Sequence, residues 1–219
     1  MKVVIFGAAQ LAGLAWYVLT RDSSHEVVAF TVNRPYLAAT TMHGLPVVPF
    51  EELERFFAPG ETAIIAPLGF PVIKGVLTQR LREARKRGYS IISYVSSRAY
   101  TWPDLVLGEG CMIFDGTSIE PFVRVGDGTI IRAGCHLSHN VSIDGGCYLA
   151  PRVTLAGSVT VGERCFIGVG AIVLDGVRLA PGCFVAAGAR VTRDTEEDGV
   201  YDGTPAVRRS VPASRLRGI

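Results

Sequence analysis

Several features that would assign a sequence to a particular class are missing from this 219-residue chain. No run of about 18 apolar residues occurs, and the short apolar run after Lys2 ends at Gly7, so neither a transmembrane helix nor a signal peptide is predicted. The formal net charge is only +2, and the basic stretch at 74–87 is not interleaved with aromatic residues. We therefore expect a cytoplasmic protein with neither a membrane nor a nucleic acid as partner.

Cysteine and histidine are scarce, and their spacing does not indicate a metal site. The five cysteines form no Cys-x-x-Cys pair, and there are only four histidines. All five cysteines share one place in the repeat described next, which favours small buried core side chains over a disulfide framework, a metal site or a catalytic thiol. They are Cys111, Cys135, Cys147, Cys165 and Cys183, of which the last three are one coil apart and are expected to stack.

The dominant feature of the sequence is a six-residue repeat between Leu107 and Val191. Fifteen consecutive hexads begin with an aliphatic residue, the fifth place is always small, and Gly fills the fourth place nine times. A hexapeptide period predicts a parallel β-helix. The aliphatic side chain points inward, and Gly adopts a turn conformation that a Cβ disfavours. Since three hexads form one coil, about five coils are predicted.

Residues 1–97 lack this period and read as a small Rossmann-like α/β domain with a parallel sheet. Residues 98–194 are assigned to the β-helix and residues 195–219 to a C-terminal tail. The predicted strands of the first domain are Val3–Phe6, Glu26–Val32, Leu45–Phe50, Thr62–Leu68 and Ser90–Ser96, and the predicted helices are Gln10–Leu19, Glu51–Phe57 and Pro71–Arg87.

The loop after the first strand, Gly7 to Gly13, is a degraded form of the dinucleotide-binding fingerprint. Its second and third glycines are alanines, and the second strand ends at Asn33 and Arg34 without the acid that binds a ribose hydroxyl. A nicotinamide dehydrogenase is therefore not favoured. A phosphate or nucleotide at the start of the helix, and a tight turn without a ligand, both stay open.

Two of the four histidines lie in the middle of the repeat, in the stretch Gly134-Cys135-His136-Leu137-Ser138-His139-Asn140. Neither His136 nor His139 occupies the inward place of its hexad, so neither is needed for packing. Near neutral pH an imidazole can accept the proton of an attacking amine or hydroxyl. A solvated or structural histidine is the alternative.

The junction Ser93-Tyr94-Val95-Ser96-Ser97-Arg98-Ala99, then Thr101-Trp102-Pro103-Asp104 and Ile119-Glu120-Pro121-Phe122-Val123, resembles bacterial sugar acyltransferases. The family is that of the sialic-acid O-acetyltransferases and nucleotide-aminosugar N-acetyltransferases, and the resemblance covers nearly the whole chain. It implies a left-handed β-helix, a homotrimer with active sites between adjacent β-helices, and acetyl transfer from acetyl-CoA to a nucleotide-linked sugar, a precursor of cell-surface polysaccharide or lipopolysaccharide. No metal is implied.

The resemblance also implies roles for individual residues. His139 matches the general base, with His136 as a weaker candidate that orients substrate. Many relatives have an acid after the base, whereas this chain has Asn140, which also suits a left-handed turn; its structural role outweighs a catalytic one. Glu120 or a backbone carbonyl would then orient His139. Because every cysteine is assigned to the core, acetyl transfer is expected to be direct, with a backbone N–H stabilising the oxyanion.

The positions that match the acetyl-CoA site are Tyr148, Gly157, Val169 and Ala187, and those that match the sugar-nucleotide site are Ala8, Ala9, Gln10 and Asn33. In the tail, Gly203-Thr204-Pro205-Ala206 resembles a loop near the cofactor, and Arg208 and Arg209 are candidates for CoA phosphates or belong to an ordinary surface tail.

Several other functions compete with N-acetylation. Sugar O-acetylation is the nearest, because the sequence is almost silent on the nucleophile. A non-catalytic β-helix that binds a sugar nucleotide is the alternative of another class. A γ-class carbonic anhydrase needs three metal-binding histidines, and only His136 and His139 lie in the repeat, at a spacing that does not match. A serine or small-molecule O-acetyltransferase does not fit the N-terminal α/β domain.

Overall fold

The N-terminal part of the chain forms a six-stranded sheet in the computed structural model, which describes residues 1–69 and 75–203. The strand order is β3-β4-β2-β1-β5-β6, and every pairing is parallel except the one between β3 and β4. The elements are β1 (Lys2–Phe6), α1 (Gln10–Arg21), β2 (Glu26–Val32), β3 (Thr41–Met42), β4 (Leu45–Pro49), β5 (Thr62–Ile65), α2 (Val76–Lys86) and β6 (Ser90–Ile91).

These elements agree with the prediction of a small α/β domain and differ from it in detail. Strand β2 has the predicted bounds, and α1 continues two residues further than predicted. The predicted helix at Glu51–Phe57 is a 3-10 helix, Phe50–Arg55. The predicted strand Thr62–Leu68 ends at Ile65. Of the predicted helix Pro71–Arg87, the start at Pro71 and Ile73 lies outside the described residues.

The predicted strand Ser90–Ser96 is wrong, because two strands of different sheets share that segment. Ser90–Ile91 (β6) pairs with β5 in the α/β sheet. Tyr94–Val95 (β7) pairs with Met112–Ile113 of the first full coil. The chain therefore passes from one sheet to the other within two residues, and a β-branched, aromatic run hides the break because both halves favour strand structure.

The predicted parallel β-helix is confirmed. Each of the fifteen hexads contributes a two-residue strand whose second residue is the aliphatic one. The strands fall into three parallel sheets that form the faces of a prism. They are β8 (Val106–Leu107), β9 (Met112–Ile113), β10 (Ser118–Ile119), β11 (Arg124–Val125), β12 (Ile130–Ile131), β13 (His136–Leu137), β14 (Ser142–Ile143), β15 (Tyr148–Leu149), β16 (Thr154–Leu155), β17 (Thr160–Val161), β18 (Phe166–Ile167), β19 (Ile172–Val173), β20 (Arg178–Leu179), β21 (Phe184–Val185) and β22 (Arg190–Val191).

The faces are named here by their strands. Face one consists of β8, β11, β14, β17 and β20, and face three of β10, β13, β16, β19 and β22. Face two consists of β7, β9, β12, β15, β18 and β21, and it ends with a further strand, β23 (Val200–Tyr201). β23 follows β21 by 16 residues instead of 18, in agreement with the predicted loss of phase after Val191.

The fourth place of each hexad from residue 110 to residue 188 has a left-handed backbone. All nine glycines there have φ between 66° and 74°. The same conformation is adopted by the five residues that replace Gly, with φ between 59° and 66°: Phe122, Asn140, Arg152, Ser158 and Arg164. A side chain at these places is strained, most of all the bulky Phe122.

At the fifth place of the hexad, Cys and Thr recur among the small residues, and their side chains donate hydrogen bonds to backbone carbonyls. All five cysteines are buried and unpaired by disulfides, as predicted. The Cys147 thiol donates to the Gly162 carbonyl at 3.2 Å, and the Thr117 and Thr129 hydroxyls donate in the same way to carbonyls fifteen residues ahead. Burial raises the pKa of the Cys111 thiol to about 12 and that of Cys135 to about 11, so both stay protonated.

The α/β domain packs on face two and on one corner of the prism. Outward side chains of face two, among them Met112, Ile130 and Tyr148, join the core of the α/β domain. Helix α2 runs along a corner column of glycines, where a Cβ on Gly110 would come within 2.8 Å of Leu81 and one on Gly146 within 3.0 Å of Thr78. These glycines therefore serve both the turn and the contact with the helix.

We expect Gly110→Ala to lower the free energy of unfolding by about 1 kcal/mol more than Gly170→Ala. Both variants place a Cβ on a left-handed residue, which costs about 1–2 kcal/mol. Only the Cβ on Gly110 would also press on α2, because nothing lies within 4 Å of one on Gly170. Denaturant unfolding of the two variants measures the difference. Equal losses would contradict the double role of Gly110.

A second contact between the domains is centred on the Asp22 carboxylate, at the end of α1. Its Oδ2 accepts hydrogen bonds from Tyr94 Oη at 2.7 Å, from Ser96 Oγ at 2.9 Å and from the Ser97 backbone N–H at 3.0 Å. Hydrogen bonds from Ser97 and Tyr94 are the main causes that hold the pKa of Asp22 well below its usual range. Burial raises the pKa of Tyr94 to about 12.

Asp22 should therefore make the stability of the protein depend on pH in acid. The pKa of Asp22 is lower in the folded chain than the unfolded value of about 3.9. Its contribution to the free energy of unfolding is therefore present above that pH and is lost as the pH falls below it. We expect Asp22→Asn to cost about 1–2 kcal/mol at pH 7 and progressively less below pH of about 4. Urea unfolding across this pH range tests it, with Asp202→Asn as control. A cost that does not change with pH would contradict the prediction.

Candidate active site

His139 lies at the corner of the prism between faces three and one, in the turn from β13 to β14. This corner is opposite face two, which the α/β domain covers. The side chains in successive coils of the corner are Pro121, His139, Gly157, Asp175 and Arg193, all at the third place of their hexads. His139 is exposed, as the outward place in the repeat predicts.

The Glu120 carboxylate connects the two histidines. Glu120 Oε2 accepts a hydrogen bond from the backbone N–H of His139 at 2.8 Å, and Oε1 lies 3.3 Å from His136 Nε2. Ser138 Oγ also lies 3.2 Å from that nitrogen. Glu120 thus fixes the backbone of His139 and the ring of His136. It does not contact the ring of His139, so it does not orient that ring as the sequence suggested it could.

The His139 ring is oriented by its neighbour Asn140. His139 Nδ1 lies 3.1 Å from Asn140 Oδ1. With the amide oxygen assigned to that side, Nδ1 must carry the proton, because a carbonyl oxygen only accepts. The lone pair is then on Nε2. Asn140 also has φ of 62°, so it has the predicted structural role in the turn and a contact with His139 as well.

Gly157 leaves the space that the His139 ring occupies. A Cβ on Gly157 would lie 2.8 Å from His139 Cε1 and 2.9 Å from Nε2. The backbone N–H of Gly157 donates to Asp175 Oδ1 at 3.0 Å, and that oxygen lies 3.1 Å from the same Cβ position. The His139 ring, Gly157 and the Asp175 carboxylate are thus stacked in three successive coils.

Sequence reasoning missed Asp175, although a signal for it exists. Asp175 occupies the same hexad place as His139, two coils later, so a β-helix puts both in one column. The exposed aromatic residues Trp102 and Phe122 were also not assigned a role. They belong to this corner, one or two coils before His139, and are 57% and 66% exposed.

The four residues that match an acetyl-CoA site do not lie together in one chain. Gly157 is beside His139. Val169, which is 51% exposed, and Ala187 lie one above the other at the corner between faces two and three. Tyr148 is buried on face two, where it stacks on Phe166 and its hydroxyl accepts a hydrogen bond from Arg132 at 2.9 Å.

The residues that match a sugar-nucleotide site lie at the carboxyl edge of the α/β sheet. Ala8, Ala9 and Gln10 connect β1 to α1, and Ala9 provides no side-chain cap for the helix. The Asn33 amide donates to Glu51 Oε1 at 2.9 Å, so a carboxylate from the 3-10 helix after β4 lies beside the end of β2. Burial acts to raise the pKa of Glu51, but hydrogen bonds from Asn33 and Arg34 prevail and lower it.

Residues 1–69 and 75–203 contain neither a metal-binding cluster nor a membrane-spanning helix. No group of three or more His, Cys, Asp or Glu side chains there could hold a metal ion. None of the helices in this part of the chain is long and apolar enough to cross a membrane.

Known proteins share this fold. The family model "Bacterial transferase hexapeptide (six repeats)" matches residues 104–139 and 158–193. No curated protein sequence matches the chain. PerB from Caulobacter crescentus, solved with CoA and GDP-perosamine, is 30% identical, with a TM-score of 0.84 over 94% of this chain and 96% of that one.

Two other solved structures resemble the chain over most of its length. A histidine-to-alanine variant of GDP-perosamine N-acetyltransferase from Caulobacter crescentus, with CoA and GDP-perosamine, is 28% identical, with a TM-score of 0.83 over 96% of this chain and 98% of that one. The acetyltransferase domain of PglB from Neisseria gonorrhoeae is 20% identical, with a TM-score of 0.80 over 94% and 98%, and shows the fold alone. With its hexad repeat, its histidine corner and these relatives, the chain belongs to the family of bacterial hexapeptide-repeat sugar acetyltransferases.

Proposed function

We propose that the protein transfers an acetyl group from acetyl-CoA to the amino group of a nucleotide-linked sugar in the cytoplasm, in the synthesis of a cell-surface polysaccharide or lipopolysaccharide. The observation that carries the proposal is the exposed His139 whose Nδ1 meets an acceptor on Asn140, because this leaves Nε2 as a base. The relatives solved with CoA and GDP-perosamine support this class of donor and acceptor.

The proposed reaction is a direct transfer. Acetyl-CoA, when bound, supplies an activated thioester. The sugar amine attacks the thioester carbon, the carbon–sulfur bond breaks, and His139 Nε2 takes the amine proton and returns it to the departing thiolate. All five cysteines are buried in the core of the β-helix and take no part, so no acyl-enzyme is formed. His136 and Glu120 hold the acceptor and the His139 backbone in place.

Acetyl-CoA would lie along a corner that is lined by small residues. Around Val169 and Ala187 the chain has Gly168, Gly170 and Gly188, so backbone groups are accessible to a long, flexible ligand. A Cβ on Gly168 would come within 2.5 Å of the Ala187 nitrogen, so the corner has no room for a larger residue there. Gly157 would receive the acetyl end near His139. Tyr148, the fourth position that matches this site, would contribute to the binding of acetyl-CoA from face two.

The nucleotide would bind at the switch point of a Rossmann-like sheet. Chain order runs from β1 outward through β2 and β4 on one side and through β5 and β6 on the other, and ligands bind where the order reverses. The loop with Ala8, Ala9 and Gln10 is at this point, and the uncapped start of α1 offers N–H groups to phosphates. Asn33, paired with Glu51, would bind the ribose.

A homotrimer of left-handed β-helices would assemble the complete site. Within one chain, His139 is at the corner opposite the face that the α/β domain covers, and Val169 and Ala187 are at another corner. A neighbouring copy would bring its face two, with the α/β domain on it, up to His139. Its corner with Val169 and Ala187 would come close to His139 as well. The exposed apolar side chains of face three and its corner, Trp102, Phe122, Ile172 and Leu174, would then be covered.

We expect His139→Ala to reduce turnover by about 100-fold or more while the oligomer stays intact, because the base is lost and the turn is not. Thiol release from acetyl-CoA is measured with UDP-, dTDP- and GDP-linked amino sugars and their hydroxyl counterparts. His25→Ala, in the α/β domain, is the control for loss of a histidine. Full activity of His139→Ala would refute the assigned base.

The same set of amino and hydroxyl sugar nucleotides also distinguishes the candidate functions. Release only with a hydroxyl sugar would move the reaction to O-acetylation. Binding of CoA and of a sugar nucleotide without release of thiol would favour a non-catalytic binding protein.

Mixing two inactive variants tests the shared site. Gln10→Trp should block the nucleotide loop, and His139→Ala removes the base. If each site takes its base from one copy and its loop from another, mixed trimers should regain about a quarter of the wild-type activity. Unmixed variants provide the controls. No recovery after subunits have exchanged, as verified by native mass spectrometry, would contradict a site shared between copies.

A further inference from the structure

The side chain that contacts the ring of the proposed base His139 is not an acid. It belongs to Asn140, and an amide orients the ring without stabilising the charge that the ring gains. An imidazolium formed during proton transfer needs a nearby negative charge, or the base is weak. A carboxylate elsewhere in the structure should therefore compensate, if the proposed function holds.

Asp175 is placed to do so from the other side of the ring. Its Oδ1 and His139 Nε2 lie 3.1 Å and 2.9 Å from the single point where a Cβ of Gly157 would be. The absence of a side chain at Gly157 opens the space between them. The other titratable groups near His139 are Glu120, which accepts from its backbone N–H, and His136, which is paired with Glu120. Arg193 follows Asp175 in the column, three coils from His139.

The hydrogen bond from Gly157 to Asp175 has a purely structural parallel in the same β-helix. The Glu109 backbone N–H donates to Asp127 Oδ1 at 2.9 Å, also across one coil of 18 residues. Gly157 donates to Asp175 in the same way at 3.0 Å. Asp127 is at the corner beside α2 and has no histidine in its column. The two aspartates thus share a structural role, and they differ only in what lies beside the carboxylate.

We infer that Asp175 is a positioning residue of the transfer reaction: across Gly157, its carboxylate supplies the negative charge that Asn140 lacks, stabilises the His139 imidazolium and attracts the amine of the acceptor. The inference rests on the proposed function. The amine proton passes to Nε2, Nδ1 keeps its proton toward Asn140, and Asp175 stays ionised throughout. When Nε2 gives its proton to the thiolate, the ring returns to the neutral form, so the proton balance closes.

The test compares kcat and its pH dependence in four proteins: the wild type, Asp175→Asn, Asp127→Asn, and the double variant Asn140→Asp with Asp175→Asn. An Asn at 175 or 127 keeps the acceptor for the backbone N–H, so the turn is preserved. Loss of the charge at 175 should lower kcat about tenfold and move the acid limb of the profile down by about 0.5–1 pH unit, because the histidine becomes less basic. Asp127→Asn should change neither.

The double variant moves the carboxylate to the Nδ1 side of the ring, where a left-handed backbone tolerates Asp. It should regain most of the lost kcat, and its acid limb should return upward. A wild-type profile in Asp175→Asn would overturn the inference, and so would equal losses in Asp175→Asn and Asp127→Asn. A rise in kcat would overturn it too, because Asp175 would then block the Gly157 N–H. Inactivity of the wild type would instead reject the proposed function.

Discussion

The left-handed turn at each corner of the β-helix is the constraint on which the rest of the structure depends. Fourteen successive corners adopt it, and only a few residue types do so without strain. This requirement selects the glycines against which α2 packs. It also selects Asn140, whose amide meets the ring of His139. The left-handed conformation that the turns require thus determines both how the first domain packs on the β-helix and which side chain contacts the ring of His139.

Much of the β-helix could be predicted because its repeat is local. The aliphatic place, the small place and the turn place each follow from one coil, and all fifteen strands lie where the period put them. The α/β domain was less predictable at its edges. At Ser90–Ser96, strand propensity could not reveal that one sheet ends and another begins, because that depends on which partner strands are available.

Some residues of the candidate site could likewise be predicted from local sequence, and others could not. His139 was visible because a titratable residue stood at an outward place of the repeat. Asp175 and Glu51 were not visible, because each contacts a residue that is distant in the sequence. Asp175 accepts a hydrogen bond from Gly157 in the preceding coil, and Glu51 accepts one from Asn33. Column position in a β-helix carries this information: residues 18 apart are neighbours, and residues at larger multiples of 18 share a column. Tyr148 shows the limit of matching alone, because its side chain is buried against the first domain.

The docking of α2 gives the β-helix two unequal ends. Helix α2 and the Asp22 carboxylate hold the first coils, through Gly110, Gly128 and Gly146 on one side and Tyr94 on the other. The column continues with Arg164, whose Cδ lies 3.7 Å from where a Cβ on Gly75 would be, and with Gly182, where a Cβ would meet Asp198. The coils near Val191 are therefore at the end of the β-helix away from the Asp22 contact. In such a molecule, whole coils of 18 residues could be added at that end in evolution without disturbing either the domain contact or the surroundings of His139.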